Sequence, residues 1–297
     1  MLTNPDISIR RKFDASYKLL SFYLKKIMNF RLMQKPSVPA FSGWGMTTKH
    51  SLPWKTFDSS DPLGLNFYRA DRRLAELILS GNFVLSQFNN LGVTSPVDYC
   101  DQQLSRLRYR HFVVFWSATF VARSKASARL TFVEAGTCDG LTAYFAEAAL
   151  RSESFPVNNT EIYLYDSWAP MKSEHLRDSE SHREGMYSYL SLAQTKQNLT
   201  ACDGSFQFMK GYIPEIFTDS DGPKAIDWLH IDLNGAVPTQ KTLEFFMPKL
   251  STGGLILFDD YGHGAYGDTK EVIDQYFSRE HGILFHLPTG QALFFKL

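Results

Sequence analysis

From residue 131 to residue 297 the chain alternates between short apolar runs and amphipathic stretches, and no other feature constrains its fold as tightly. TFVEAG reads as a buried strand and GLTAYFAEAAL as a helix. EIYLYD is a second strand, and residues 173–199 read as mostly helical. FQFMK is a third strand followed by a short helical turn, and IDWLHIDL is a fourth. A helix starts near Pro238, whose fixed φ suits a first helical turn, and Leu243, Phe246, Met247 and Leu250 line one of its faces. GGLILFDD is a fifth strand, and Asp268 with Glu271 has the spacing of a capping pair for a helix through about Glu280. GILFHL and QALFFKL flank Pro288, Thr289 and Gly290, as two strands of an antiparallel pair would. Strands that alternate with helices form a parallel sheet with helices on both faces. The expected fold is therefore α/β and Rossmann-like, mostly parallel, with a C-terminal antiparallel hairpin.

The preceding residues read differently. Residues 1–35 hold eight Lys and Arg against two Asp, with Phe13, Tyr17, Leu20, Leu24 and Ile27 at helical spacing. This is an amphipathic helix that docks on the main domain or a second subunit, or lies on a membrane surface. Residues 36–64 carry the Pro and Gly of a loop, yet FSGWGMTTKHSLPW is rich in aromatic residues, and Trp44, Met46 and Trp54 either line a lid or pack the loop on the core. Residues 66–80 and 97–124 read as helices, the second too apolar for a surface helix in RHFVVFWSATFVA. The division expected is a helical and loop extension over 1–96 and a catalytic domain over 97–297.

Lys plus Arg and Asp plus Glu number 31 each, so no global charge points to nucleic acid. No apolar run is long enough to span a bilayer, and the first residues lack a signal-peptide core. Cys100, Cys138 and Cys202 are odd in number and far apart, which argues for a reducing, cytoplasmic setting rather than a disulfide scaffold. The glycosylation-like triplets at Asn158 and Asn198 carry no meaning there.

In such a sheet, ligands bind beyond the carboxyl ends of the strands. The first strand ends in Glu134-Ala-Gly136-Thr-Cys-Asp-Gly140, whose glycines permit a tight turn and a close approach. It is not the dinucleotide fingerprint, since Cys138 stands where the middle glycine would be. Asp166 ends the second strand, where a carboxylate accepts hydrogen bonds from a ribose diol or serves as a turn residue. The fourth strand ends at Asp232 and the fifth at Asp259 and Asp260. Three convergent carboxylates repel, so they need a cation or raised pKa values, and Mg²⁺ with oxygen ligands is the simplest resolution. The alternative is that Asp259 and Asp260 cap a turn while Asp232 faces solvent.

The series VEAGTCDG, YLYDSW, FMKGYIPEIF, HIDLN and PKLSTGGLILFDDYG, in that order over roughly residues 110–297, resembles the macrocin-type sugar O-methyltransferases. The resemblance implies a class I S-adenosylmethionine-dependent methyltransferase. It implies donor contacts from Glu134, Gly136, Thr137 and Gly140, a ribose-binding acid at Asp166 beside Ser167, adenine contacts near Gly211 and Tyr212, and Mg²⁺ ligands at Asp232, Asp259 and Asp260. Asn234 departs from that pattern, standing where the family has a second acid. The likeness extends to catechol O-methyltransferases, but Gly235 stands where those have their lysine base.

The acceptor expected is a hydroxyl of a small molecule, a sugar or natural-product diol, and the chain could form homo-oligomers. A base must take the hydroxyl proton: Asp232 and His263 are the candidates, with His50 a weaker one. Two other classes remain open at this point, a nucleotide-binding oxidoreductase and a binding protein that kept the donor fold without turnover.

Overall fold

The computed structural model describes residues 62–86, 95, 104, 107–125, 129–153, 159–218, 220, 222–278 and 282–297. Expectations for residues 1–61, including the basic helix, His50 and nearly all of the Trp-rich loop, lie outside the described residues, as do Cys100, Asn158 and the boundary at 96/97.

The sheet has seven strands in the order β3-β2-β1-β4-β5-β7-β6. They are β1 (Leu130–Ala135), β2 (Thr160–Asp166), β3 (Phe206–Lys210), β4 (Ile226–Ile231), β5 (Leu250–Phe258), β6 (Gly282–His286) and β7 (Ala292–Lys296). The first five pair in parallel, and β7 inserts antiparallel between β5 and β6. The chain order reverses beside β1, which pairs with β2 on one side and β4 on the other. That reversal opens a crevice at the carboxyl ends of β1 and β4, the place such sheets bind ligands.

The pleat sorts the strand residues onto two faces. Phe132, Trp228, Leu255 and Leu257 pack with α1 (Pro62–Leu79), α2 (Arg108–Ser124) and α3 (Leu141–Ser152). Val133, Leu229, Ile231, Ile256 and Phe258 face the other way, against α5 (Ala236–Phe246) and α6 (Gly267–Phe277). All six β4 residues are buried, which is why IDWLHI reads as a nearly unbroken apolar run. The helix α1 belongs to the same core: Phe67 meets Phe112, Phe115 and Phe145 at 5.2–5.7 Å between ring centroids.

The helix α2 explains its own composition. It lies on the sheet, with Val114, Phe115, Ala118 and Val121 fully buried. Ser117 Oγ accepts the Trp228 indole N–H at 2.9 Å, and His111 stacks on Phe145 at 5.0 Å. Burial, reinforced by the neighbouring Arg110 charge, holds the His111 imidazole well below its ordinary pKa and therefore neutral.

Four local expectations change. Residues 62–64 open α1 rather than close a loop. Residues 173–199 form short 3₁₀ turns at Ser173–His175 and Asp178–Arg183 and one real helix, α4 (Leu192–Asn198). The segment after β3 is a turn. Asp268 and Glu271 do not cap α6, because both accept from Arg177, and Asp268 also accepts from Ser179. Charged partners from a distant segment outcompete the local cap.

Candidate functional site

The turn after β1 is shaped by a close approach of strands. Gly136 has φ +93°, and a Cβ there would lie 2.6 Å from the Asp232 carbonyl carbon and closer still to its oxygen. The backbones are held together by Asp232 N–H donating to Ala135 O at 2.9 Å and Gly136 N–H to Tyr165 O at 2.8 Å. Only glycine fits. Gly140, at φ +86°, precedes α3, and a Cβ there would press on the Leu199 side chain at 3.1 Å.

Asp166 fixes the far side of this turn. Its Oδ2 accepts the Cys138 N–H at 2.8 Å and its Oδ1 the Trp168 N–H at 2.7 Å. Burial pushes its carboxyl up from the usual range. The turn role is thus present, and Asp166 still lines the central cavity, so it can act on a ligand as well.

That cavity, of about 340 Å³, is lined by Gly136, Thr137, Asp166, Ser167, Gly211 and Tyr212 together with Asp232, Asp259 and Asp260. Most of the residues singled out from sequence therefore share one chamber. Three do not line it. Glu134 is turned inside the fold, 1% exposed, accepting from Thr142 Oγ1 and meeting His230 Nδ1 at 2.8 Å. Gly140 shapes the turn from behind. His263 is exposed, with its Nδ1 accepting the Ala265 N–H at 3.2 Å as the cap of the short 3₁₀ turn Gly264–Tyr266. Its position removes it from the choice of base.

The acids converge as expected, but the cation among them is Arg110 of α2. Its Nε donates to both Asp259 oxygens at 2.7 and 2.8 Å, and its Nη2 reaches Asp232 Oδ2 at 2.8 Å and Asp259 Oδ2 at 2.6 Å. Gln291 Nε2 adds a bond to Asp259 Oδ1 at 3.0 Å. Asn234 stitches the other two acids. Its N–H donates to Asp260 Oδ2 at 3.0 Å and its Nδ2 to Asp232 Oδ1 at 3.1 Å, while its Oδ1 accepts from Tyr266 Oη at 2.6 Å. The departure seen at this position in the sequence is thus an amide that bridges acids where another acid would repel them.

These surroundings separate the three carboxyls. Burial and the Asp259 charge push Asp232 up to about 6, against the pull of Arg110. Burial would raise Asp259 too, but the guanidinium bonded to it holds it below the usual range. Asp260 is pushed well up by burial and by both neighbouring acids.

The Mg²⁺ expectation meets a physical obstacle here. Donor atoms of His230, Asp232 and Asp259 lie within 4.8 Å of one another, a spacing that suits a metal. Arg110 already bonds both of those aspartates, and a divalent ion brought to their oxygens would face the guanidinium's positive charge at hydrogen-bonding range. The residues as arranged do not fit a resident Mg²⁺.

Sequence reasoning missed Arg110, although an arginine near the start of so apolar a helix needs an anionic partner. It missed Tyr187, His175 and Lys172, which also line the chamber. Lys172 Nζ sits 4.2 Å above the Tyr212 ring, and His175 packs against that ring at 5.2 Å while meeting Glu215 Oε1 at 2.7 Å. No spacing rule brings these together, because they come from irregular segments.

Residues 133–261, which span β1 to the end of β5, match the family described as Methyltransferase domain. That segment carries the methyltransferase match, and the sheet around it has the strand order of the class I S-adenosylmethionine-dependent methyltransferase fold. No curated protein matches the sequence. Among solved structures the chain is similar to the O-methyltransferase NovP, with TM-score 0.58, 19% identity, and coverage of 80% of this chain and 99% of that one. It is also similar to CalS11, the calicheamicin methyltransferase, with TM-score 0.54, 16% identity, and coverage of 86% and 98%. At these identities the likeness concerns the fold. Among the described residues no helix is long and apolar enough to cross a membrane.

Proposed function

We propose that this enzyme methylates an oxygen, a hydroxyl of a small sugar-like or natural-product molecule. The observation that carries the reading is the union, in one chamber, of the Gly136 turn with three carboxyls whose environments differ. That NovP is an O-methyltransferase of the same fold supports it.

The donor fits the residues present. The glycine-cleared edge at Gly136, with Thr137, Asp166, Ser167, Gly211 and Tyr212, would hold S-adenosylmethionine, and Asp166 has lone pairs left for a diol after its two backbone bonds. When bound, it supplies a methyl group already activated as a sulfonium. The protein must then align the hydroxyl and take its proton.

Asp232 is the base. With a pKa near 6 it is ionised at neutral pH and basic enough to accept a proton. Its orientation is fixed by Arg110 on one oxygen and Asn234 on the other. Asp260, its carboxyl pushed up by burial and by both neighbouring acids, lines the same chamber and can hydrogen-bond the acceptor. Asp232 is placed to take the proton that the acceptor hydroxyl would give up as it receives the methyl group. Magnesium assistance does not fit these residues, and no step here uses it.

Incubation with S-adenosylmethionine and a panel of vicinal diols, followed by detection of S-adenosylhomocysteine and a methyl ether, tests the reading. Methylation confined to nitrogen or carbon acceptors would overturn it.

A further inference from the structure

We infer that Arg110 is the resident cation of this acidic site, standing where a divalent metal would stand, so that methyl transfer proceeds without one. The inference rests on the oxygen-methylation reading for its chemistry, but its evidence is geometric. The guanidinium makes three hydrogen bonds of 2.7–2.8 Å to two carboxylates from two adjacent strands. That is the bridging task a metal performs at the mouth of a sheet, and planar N–H pairs suit a carboxylate well.

The arginine is built in. The residues on either side of Tyr109 and Arg110 anchor it: Arg108 pairs with buried Asp71 at 3.0 Å, and His111 stacks against Phe145 inside the core. Gln291, 1% exposed, braces the same Asp259 oxygen from β7's leading edge. A metal entering this site would have to evict a fixed positive charge and then face it at close range.

The guanidinium also keeps one edge for the acceptor. Its Nη1 has no hydrogen-bond partner among the described residues, and Arg110 lines the chamber. That N–H edge can donate to an acceptor oxygen as its proton leaves, stabilising the developing negative charge. Arg110 therefore supplies the positive field that a bound metal would, without acting as an inner-sphere ligand.

The test uses the full chain with Mn²⁺ as probe, read by electron paramagnetic resonance, with and without S-adenosylhomocysteine. Calorimetric titration with Mg²⁺ serves as a second readout. The parent should retain no Mn²⁺ and give no saturable Mg²⁺ heat. Arg110→Ala, which frees the acids, should take up one Mn²⁺ per chain, whereas Arg110→Lys, which keeps the charge, should take up none. One tightly held Mn²⁺ in the parent would overturn the proposal, as would an Arg110→Ala variant that folds and still binds no metal. If Arg110→Ala does not fold, the parent titration decides alone. None of these readouts needs an acceptor, so failure of the oxygen-methylation reading would show separately, as absent methyl ethers beside an unchanged metal result.

Discussion

Alanine at Gly136 separates the two demands that the β1 turn makes on its residue. A side chain at φ +93° costs about 1–2 kcal/mol from the left-handed backbone alone. The added Cβ would also lie 2.6 Å from the Asp232 carbonyl carbon, so β1 and β4 must part and strain the Asp232 N–H bond to Ala135 O. Forcing a methyl into such a contact adds about 1–3 kcal/mol. Gly253 provides the control: its φ is +74°, and nothing lies within 4 Å of the Cβ it would gain. In thermal unfolding, Gly136→Ala should lower Tm by about 5–15 °C and Gly253→Ala by about 2–6 °C. In calorimetry, S-adenosylhomocysteine should bind Gly136→Ala at least about tenfold more weakly, a loss of about 1.4 kcal/mol, and Gly253→Ala as it binds the parent. Equal Tm shifts for the two variants, with unchanged binding, would refute the close-approach argument and the donor turn with it.

Asp232→Asn should lower turnover by about 10²–10⁴-fold, the usual contribution of a positioned base, while donor binding measured by calorimetry changes little. Because the Asp232 carboxyl is raised to about 6 and acts as the base only when ionised, the parent's rate should be level above that pH and fall with acidification below it in a pH–rate profile. Asp166→Ala removes two charge-assisted bonds to the turn, each worth about 1.5–3 kcal/mol, and should weaken S-adenosylhomocysteine binding in a titration. His263→Ala should leave turnover unchanged and alter stability by no more than about 0.5 kcal/mol in urea unfolding, as expected of an exposed cap.

The parts of this protein that were legible in its sequence are those that local chemistry dictates. Buried parallel strands such as IDWLHI are mostly apolar on both faces, and the acids just beyond their ends must meet because adjacent parallel strands end side by side. Gly136 was legible because a strand-to-helix turn against a neighbouring strand leaves no room for a side chain. What escaped notice depends on partners far along the chain. Arg110 finds Asp232 and Asp259 across 122 and 149 residues, so its role as counterion has no local signature. The stretch around Glu180 and Arg183 looked helical from its composition. Its backbone is instead set by tertiary bonds: Glu180 accepts the Ala236 N–H at the start of α5, and Arg183 donates to Asn234 O at 2.9 Å. His263 lies between two glycines on the surface, outside the chamber, where it caps a short turn.

The most direct measurement of the central claim follows a labelled methyl carbon. The enzyme is incubated with S-adenosylmethionine carrying a ¹³C methyl group and with a panel of hydroxylated, amine and carbon-acid acceptors, and the products are examined by NMR. The account predicts a methoxy carbon on a hydroxylated acceptor, formed in equal amount to S-adenosylhomocysteine and lost in Asp232→Asn. A label found on nitrogen or carbon, or a methoxy product formed at the parental rate by Asp232→Asn, would contradict it.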